Sequence, residues 1–304
     1  MSFMYNPFPF DDPKPVNRPE LSKKTIDAVV SGGTPAVAKK FAASVIESAR
    51  ESNRILAFDG YTTVDWKLFL NLVARECRIA GVEFVSIDQN KECFKSGEEI
   101  DNMIDPLLIW DTKIDPTLLY GKIYKGGYEG LLDEVKTKKF EENVMSLKEG
   151  KGKVVAVYGY GCLIPRFRKL YDVKCFFDIT PKTSILRIRG GEYSNIGKER
   201  PDQINRVIRR CYYCDFEIAV CNRRELLHNS AIDFFFLADD PKNIVMMPFE
   251  TFSDICAQLV KYPFRAKPCY LEGVWGGSYM KKLRHLPDNM RNAAWVFDFI
   301  PMEV

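Results

Sequence analysis

The segment at positions 59–65 (DGYTTVD) joins an apolar run to a helical pattern, and a turn in this place could bind phosphate. Backbone N–H groups at the start of a helix have no partner within the helix, and the helix dipole favours an anion there. Gly60, Thr62 and Thr63 are the candidate phosphate-binding residues. The segment lacks the lysine that reaches the β- and γ-phosphate oxygens in a nucleotide-binding loop, and the next basic residue is Lys67. A purely structural turn is the alternative.

Asp88 directly follows a second apolar run, Glu83–Ile87. A carboxylate at the end of a strand could accept the proton of a substrate hydroxyl group during phosphoryl transfer, so Asp88 is the candidate catalytic base. The alternative is a helix cap, because an aspartate side chain readily accepts hydrogen bonds from the first N–H groups of a helix. The cap is the favoured interpretation.

A cluster of arginines follows in the second half of the chain. A guanidinium group binds phosphate through two parallel hydrogen bonds, so the cluster is a candidate anion site. Its phosphate-binding candidates are Arg187, Arg189, Arg206, Arg209 and Arg210. The alternative is a solvated helix face whose arginines pair with carboxylates such as Glu199 and Asp202.

The histidine and cysteine residues argue against a metal site. The sequence has two histidines, His228 and His285, too few for a site built on several imidazole ligands. Cys211 and Cys214 form a lone CxxC pair, whereas a zinc ribbon needs two such pairs. We therefore predict no metal ligands. The nine cysteines are scattered and lie mostly in apolar stretches, which indicates reduced thiols in the cytoplasm.

Composition narrows the class of protein further. Hydrophobic residues make up 46% of the 304 residues and charged residues 28%, which is typical of a chain with a substantial core. The net charge of +3 is too small for a general binder of nucleic acid or of membrane surfaces. No apolar run approaches the roughly 18 residues that a membrane span requires. Residues 1–15 (MSFMYNPFPFDDPKP) lack the basic and apolar regions of a secretory signal.

Short apolar runs alternate with helical patterns. Helices are predicted over Pro35–Arg50 and Asp65–Ala80, and strands over Arg54–Phe58, Glu83–Ile87, Lys153–Tyr158, Val173–Asp178 and Asp233–Leu237. Strands that are apolar on both faces and separated by helices are typical of a parallel sheet between two helical layers. The predicted fold class is therefore α/β, a three-layer fold with a mainly parallel sheet. Ligands of such sheets bind beyond the carboxyl ends of the strands.

The chain divides into three predicted regions. Residues 1–22, rich in proline and aromatic residues, are expected to form an extended arm. Residues 23–261 form the α/β domain. Residues 262–304, with several prolines and the run Trp275-Gly276-Gly277, are expected to form a short irregular and β-structured extension.

The central part of the chain resembles the uridine-kinase-like branch of P-loop proteins. The resemblance lies in the strand, turn and helix at 54–80, in Asp88, in VVAVYGYG at 154–161, and in YDVKCFFDITPKTSILRIR at 171–189. It implies a P-loop kinase-like fold, with the segment 187–210 as the region that closes over phosphates. The absent lysine implies a degenerate loop.

A second resemblance covers the region from Arg206 onward. The stretches RVIRRCYYCDFEIAVCNRRELLHNSAIDFFF and YPFRAKPCYLEGVWGGSYMKKL are similar to a bacterial group of class I mannose-6-phosphate isomerases, in which a kinase-like domain precedes a cupin domain. The Trp-Gly-Gly run at 275–277 matches the entry to that cupin. The zinc ligands of the cupin barrel have no counterpart in this sequence, so the resemblance implies a module associated with an isomerase rather than an isomerase.

Three functions are compatible with these patterns. The favoured one is a non-catalytic or weakly active kinase-like module of hexose-phosphate metabolism that binds a phosphorylated ligand or a partner. An active nucleoside or sugar kinase is the first alternative, and it would require Mg-ATP as cofactor. A structural protein that forms a homo-oligomer or pairs with a separate cupin protein is the second.

Overall fold

The computed structural model describes residues 20–111, 113–114, 120–259, 266–271 and 292–297 of the chain. The helices are α1 (Lys23–Asp27), α2 (Thr34–Glu51), α3 (Lys67–Ile79), α4 (Gln89–Cys93), α5 (Gly97–Ile104), α6 (Glu134–Leu147), α7 (Pro181–Arg189), α8 (Ile204–Arg210), α9 (Phe216–His228) and α10 (Phe249–Leu259). The strands are β1 (Arg54–Gly60), β2 (Glu83–Asp88), β3 (Lys153–Tyr158), β4 (Val173–Asp178), β5 (Phe234–Leu237), β6 (Val245–Pro248), β7 (Ala266–Leu271) and β8 (Asn292–Phe297).

The main sheet has six strands in the order β2-β3-β1-β4-β5-β6. The first five are parallel to their neighbours, and β6 runs antiparallel to β5. Strands β1 and β3 lie near the centre and are apolar on both faces, as a parallel sheet covered by two layers of helices requires. The predicted α/β class with a mainly parallel sheet is confirmed.

One face of the sheet packs against α2 and α3 through phenylalanine rings. Phe41 of α2 and Phe69 of α3 lie 5.6 Å apart between ring centroids, and each contacts Phe58 of β1 edge-on. Phe177 of β4 and Phe236 of β5 stack at 4.2 Å beside them. All five side chains are fully buried. Each ring removes enough apolar surface from water to contribute a few kcal/mol, so this cluster holds α2 and α3 on the sheet.

The helix pattern explains the same packing. In α3 the buried side chains Phe69, Leu70, Val73 and Cys77 recur at spacings of three and four residues, which places them on one face of the helix. Helix α2 begins at Thr34 with Pro35 in its first turn, where proline costs no hydrogen bond. The predicted bounds of both helices are confirmed to within two residues.

The predicted strands are also present. Strands β3 and β4 begin and end where the sequence predicted, β2 extends one residue farther to Asp88, and β5 begins one residue later at Phe234. Strand β1 extends two residues beyond Phe58 and so includes Asp59 and Gly60. The sequence analysis did not predict β6, whose four residues (VMMP) are too few to show a period.

Contacts divide the chain into two compact units, Ala28–Phe249 and the pair of segments Met1–Asp27 and Glu250–Val304. The larger unit contains the main sheet. In the smaller one, β7 and β8 pair as an antiparallel ladder with Ala266 opposite Phe297, which fits the predicted β structure of the extension. Most of the predicted arm at 1–22 and the Trp-Gly-Gly run lie outside the described residues. None of the described helices is both long and apolar enough to cross a membrane.

Candidate functional site

The carboxyl ends of β1 and β4 form the point at which a ligand would enter this sheet. After β1 the chain continues towards β2 on one side, and after β4 it continues towards β5 on the other. A crevice beyond the carboxyl ends opens where neighbouring strands send their connections in opposite directions. The segment 59–65 lies at this point, so the candidate phosphate-binding turn is in the position that the fold offers to ligands.

Asp59, inside this edge of the sheet, is fully buried. Its Oδ1 accepts hydrogen bonds from the N–H groups of Gly60 at 2.7 Å and Gly161 at 3.0 Å. Its Oδ2 accepts from the N–H group of Leu163 at 2.9 Å and from the side chain of Asn222, in α9, at 3.1 Å. Asp59 therefore joins β1, the loop after β3 and a helix on the opposite face of the sheet from α2 and α3.

Burial raises the pKa of Asp59 to about 6, although the four donors oppose the shift by stabilising the carboxylate. A carboxylate whose hydrogen-bond positions are taken by protein groups organises its surroundings rather than reacting with a ligand. Sequence reasoning missed this role because the predicted strand ended at Phe58. The sequence did contain a sign of this role, because Asp59 is an acidic residue that directly follows the apolar run ending at Phe58.

The N–H groups of the turn bind within the protein. Tyr61 donates to the carbonyl oxygen of Phe177 at 3.0 Å, Thr63 donates to the hydroxyl oxygen of Tyr160 at 3.1 Å, and Val64 donates to the carbonyl oxygen of Tyr61 at 3.2 Å. Together with the bond from Gly60 to Asp59, these contacts occupy four backbone donors of the turn. Phosphate binding by Gly60, Thr62 and Thr63 stays a prediction, and use of the Gly60 or Thr63 N–H group would require its present bond to break.

The threonine side chains are also engaged and buried. The Thr62 hydroxyl group donates to the carbonyl oxygen of Asp215 at 3.3 Å, and that of Thr63 lies 3.2 Å from the hydroxyl group of Ser184 in α7. Thr63 has a φ of 76°, a left-handed conformation that is costly for a β-branched residue. Arg187 stabilises it by donating to the Thr63 carbonyl oxygen at 2.8 Å.

Aromatic side chains fill the space beside the turn. Trp66 packs against Tyr160 at 5.3 Å and against Tyr158 at 6.0 Å between ring centroids. A Cβ atom on Gly60 would lie 2.8 Å from Val64 and 3.2 Å from Trp66, so the turn is closely packed. The crevice at the end of β1 is thus occupied by the protein's own side chains.

Asp88 caps helix α4. Its Oδ1 accepts hydrogen bonds from the N–H groups of Asn90 at 3.1 Å and Lys91 at 3.3 Å, and the Lys91 ammonium group lies 3.7 Å from Oδ2. The side chain of Asp88 is 25% exposed. The favoured cap interpretation is thereby confirmed. The role of catalytic base stays a prediction.

The candidate arginines are distributed over different environments. Arg187 also donates to the carbonyl oxygen of Asp239 at 2.8 Å. Arg209 is buried and donates to the carbonyl oxygen of Tyr120. Arg206 is half exposed, lies 3.6 Å from Asp202 and stacks over the Trp110 ring at 4.6 Å. The predicted pairing with Asp202 is present.

The two remaining candidate arginines, Arg210 and Arg189, differ in how far they are exposed. Arg210 is buried, donates to the Asp101 carboxylate at 2.6 Å and to the carbonyl oxygen of Ile196 at 2.6 Å. Arg189, at the end of α7, is exposed. Of the five arginines, Arg189 and Arg206 are therefore the ones whose guanidinium groups are most accessible to an anion from solvent.

A π-helical turn at Cys211–Asp215 separates α8 from α9 and holds a second buried carboxylate. Oδ2 of Asp215 accepts hydrogen bonds from the Tyr193 hydroxyl group at 2.9 Å and from the Asn195 amide at 2.8 Å. Burial raises the pKa of Asp215, and the positive charge of Arg210 opposes that shift. Single π turns occur often at functional sites, and buried titratable clusters do so too. Nothing in the sequence pattern indicated this turn.

The described residues contain no group of three or more histidine, cysteine or acidic side chains that could hold a metal ion. The CxxC cysteines, Cys211 and Cys214, are buried, and burial raises the pKa of both thiols. Such thiols are poor nucleophiles because the thiolate is disfavoured.

A family model described as "Domain of unknown function (DUF8485)" matches residues 33–261. The chain belongs to this family. The match runs from the residue before α2 through α10, so every element that carries Asp59, Asp88, Asp215 and the arginine candidates lies within the DUF8485 domain. A search of curated proteins found no match.

Solved structures similar to this DUF8485 chain include several kinases. A provisionally named fructose transport system kinase from Silicibacter sp. TM1040 is 12% identical, with a TM-score of 0.40, over 62% of this chain and 94% of the other. A provisionally named uridine kinase from Bacillus stearothermophilus is 12% identical, with a TM-score of 0.31, over 49% and 84%. A shikimate kinase from Bacteroides thetaiotaomicron is 13% identical, with a TM-score of 0.32, over 67% and 95%. Sequence identities and TM-scores this low support no conclusion about activity.

Proposed function

We propose that this protein is a kinase-like module that binds a phosphorylated small molecule and does not transfer phosphoryl groups. The observation that carries the proposal is the closed turn after β1. Its N–H groups at Gly60, Tyr61, Thr63 and Val64 all donate within the protein, and the segment has no lysine to reach a nucleotide phosphate. Four donors of this turn are therefore engaged within the protein, and the segment lacks the positive charge that phosphoryl transfer from ATP needs.

The proposed ligand is a sugar phosphate. The resemblance of the region after Arg206 to mannose-6-phosphate isomerases supports this choice of ligand class. Arg189 and Arg206 are the proposed contacts with phosphate, because their guanidinium groups are accessible and arginine binds phosphate in a bidentate manner. Arg187, Arg209 and Arg210 instead fix the protein's own backbone and Asp101.

Isothermal titration with mannose 6-phosphate tests the proposal, with mannose as the control for a phosphate-independent signal. We expect saturable heat from the phosphate ester alone, and an affinity at least about tenfold weaker in the variant Arg206→Gln, since charged hydrogen bonds contribute about 1.5–3 kcal/mol each. Arg50→Gln removes another exposed, ion-paired arginine and should bind like the unmodified protein. Absence of saturable heat with mannose 6-phosphate at millimolar concentration would refute the proposed ligand.

An active kinase is the second candidate, and Asp88 supports it. Its carboxylate is partly exposed at the carboxyl end of β2, where a substrate hydroxyl group could approach. This candidate requires Mg-ATP and predicts sugar-dependent release of ADP that Asp88→Asn abolishes. Asparagine is as good a helix cap as aspartate, so this variant separates the base from the cap. Pairing with a second copy or with a separate cupin protein remains a prediction about residues 1–22 and 262–304.

A further inference from the structure

Trp110, in the segment between α5 and α6, lies beside two arginines of α8. The guanidinium carbon of Arg206 is 4.6 Å from the centroid of the Trp110 ring, and that of Arg209 is 4.9 Å from it. Arg209 is buried and donates to the carbonyl oxygen of Tyr120, whereas the Arg206 side chain is 49% exposed. One aromatic ring therefore contacts two positive charges, of which Arg206 carries the one that solvent reaches.

The segment that bears Trp110 is anchored to the π turn that follows α8. Leu108 and Gly121 form an antiparallel bridge, and the N–H group of Tyr124 donates to the carbonyl oxygen of Tyr213 at 2.8 Å. The indole N–H group of Trp110 is buried and has no hydrogen-bond partner within the described residues. Packing of the ring, and not a hydrogen bond of its N–H group, therefore holds Trp110 in place.

Contact with the ring prepares Arg206 for an anion. The face of a guanidinium group is attracted to an aromatic ring, whereas its five N–H donors point outward in its plane. A ring under the guanidinium group therefore leaves these donors accessible and restricts the orientations of a long side chain. A side chain that is already ordered loses less conformational freedom when a ligand binds. The Trp110 ring should therefore raise the affinity of Arg206 for phosphate without contacting the ligand.

Asp202 places a carboxylate beside the same guanidinium group. Its Oδ2 lies 3.6 Å from Nη1 of Arg206, which is within ion-pair distance but too long for a hydrogen bond. The side chain of Asp202 is 37% exposed, and ion pairs between exposed side chains are weak. A phosphate ester carries more negative charge than a carboxylate and offers more acceptor oxygens, so it can take the place of Asp202.

We propose that Trp110 is a positioning residue for the phosphate contact at Arg206, and that Asp202 competes with the ligand for the same guanidinium group. Trp110 holds the guanidinium group oriented, and Asp202 leaves it when the phosphate arrives. This inference rests on the proposed function, in which Arg206 is a contact with phosphate.

Titration calorimetry with mannose 6-phosphate tests the inference in a double-mutant cycle. Trp110→Leu removes the ring, and we expect it to weaken binding by about two- to fivefold, whereas Trp110→Phe should restore most of the affinity. In the Arg206→Gln background, Trp110→Leu should have no further effect, because the ring acts through Arg206. Factors that multiply in the double variant, or an unchanged affinity in Trp110→Leu, would overturn the role of Trp110.

Asp202→Asn tests the competition at an exposed position, where a substitution should not disturb folding. We expect this variant to bind mannose 6-phosphate about twofold more tightly, since an exposed ion pair contributes little. Glu47→Gln is the matched control, because it removes the partner of Arg50 in another exposed pair and should leave the affinity unchanged. Equal or weaker affinity in Asp202→Asn would overturn the competition.

The Nε–H signal of Arg206 in a ¹⁵N NMR spectrum separates this inference from the proposed ligand. We expect inorganic phosphate to shift the signal, and Trp110→Leu to require a higher phosphate concentration for the same shift. If the unmodified protein does not bind mannose 6-phosphate, the proposed ligand is refuted, and the phosphate titration still decides the role of Trp110. Equal midpoints in the two proteins, or no shift in either, would overturn that role.

Discussion

The hydroxyl group of Tyr193 donates to Oδ2 of Asp215 at 2.9 Å, and both side chains are buried. This bond joins the irregular segment after α7 to the π turn between α8 and α9. The main-chain carbonyl oxygen of Asp215 also accepts the hydroxyl group of Thr62. Asp215 thus connects the turn after β1 to the irregular segment between α7 and α8.

Asp59→Asn should destabilise the fold. An asparagine side chain has one acceptor oxygen, whereas Asp59 meets donors on both of its oxygens, from Gly60 and Gly161 on one and from Leu163 and Asn222 on the other. Buried donors without an acceptor cost about 1–3 kcal/mol, so we expect a loss of that size in the free energy of unfolding, measured in urea at pH 7. Asp254→Asn, at an exposed aspartate of α10, should change it by less than about 0.5 kcal/mol. Equal effects of the two substitutions would contradict the role of Asp59.

The raised pKa of Asp59 predicts a pH dependence. The folded-state pKa is about 6 and the ordinary value is 3.8, so the folded protein binds this proton more tightly than the unfolded chain does. The resulting stabilisation is fully present below about pH 4 and is lost as pH rises through about 6. A shift of this size corresponds to about 3 kcal/mol. The difference in unfolding free energy between the unmodified protein and Asp59→Asn should therefore shrink from pH 4 to pH 7. A constant difference over this range would show that Asp59 has an ordinary pKa.

The stability of the protein should depend on the helix cap that Asp88 provides and not on the charge of its carboxylate. Asp88→Ala removes the acceptor for the N–H groups of Asn90 and Lys91 and should cost about 1 kcal/mol of stability. Asp88→Asn keeps an acceptor and should cost no more than a few tenths of that. Chemical denaturation of both variants measures the difference. If the asparagine variant were as unstable as the alanine variant, the ion pair with Lys91 and not the cap would be the stabilising contact.

Gly60→Ala should disrupt the closed turn. Its Cβ atom would lie 2.8 Å from a Val64 methyl group and 2.9 Å from the carbonyl oxygen of Phe177, and a backbone atom cannot easily move. Overpacking of this kind costs about 1–3 kcal/mol, and we expect the upper end in thermal or urea unfolding. Gly81→Ala is the comparison, because nothing lies within 4 Å of its Cβ position. Because Gly81 has a φ of 72°, we expect Gly81→Ala to cost about 1 kcal/mol. A cost at Gly60 no larger than that at Gly81 would mean that the turn is loosely packed.

The sequence predicted the sheet better than the site. Apolar, β-branched runs such as VVAV at 154–157 reveal a buried strand, because burial on both faces leaves no polar position within the run. The short strand β6, Val245–Pro248, was not predicted, because its pairing with β5 and not its own sequence pattern places it at the edge of the sheet. Asp88 was predicted as a cap from its position alone, and the cap is present.

The contacts that close the site depend on residues far apart in the sequence. Asp59 meets Asn222, and Thr63 meets Tyr160 and Arg187, at separations that no local period records. The π turn at Cys211–Asp215 likewise depends on tertiary hydrogen bonds to its buried aspartate. The residue type alone could not show that Arg210 is buried against Asp101 whereas Arg189 is exposed to solvent.

The protein's own groups close the turn after β1, and we therefore expect this turn not to hold a nucleotide phosphate. Calorimetric titration of the intact chain with Mg-ATP tests this most directly, because binding of the triphosphate would have to displace the bonds at Gly60, Tyr61 and Thr63. The account predicts no saturable heat at millimolar nucleotide. Saturable binding at one site per chain would contradict the account and place the kinase alternative first.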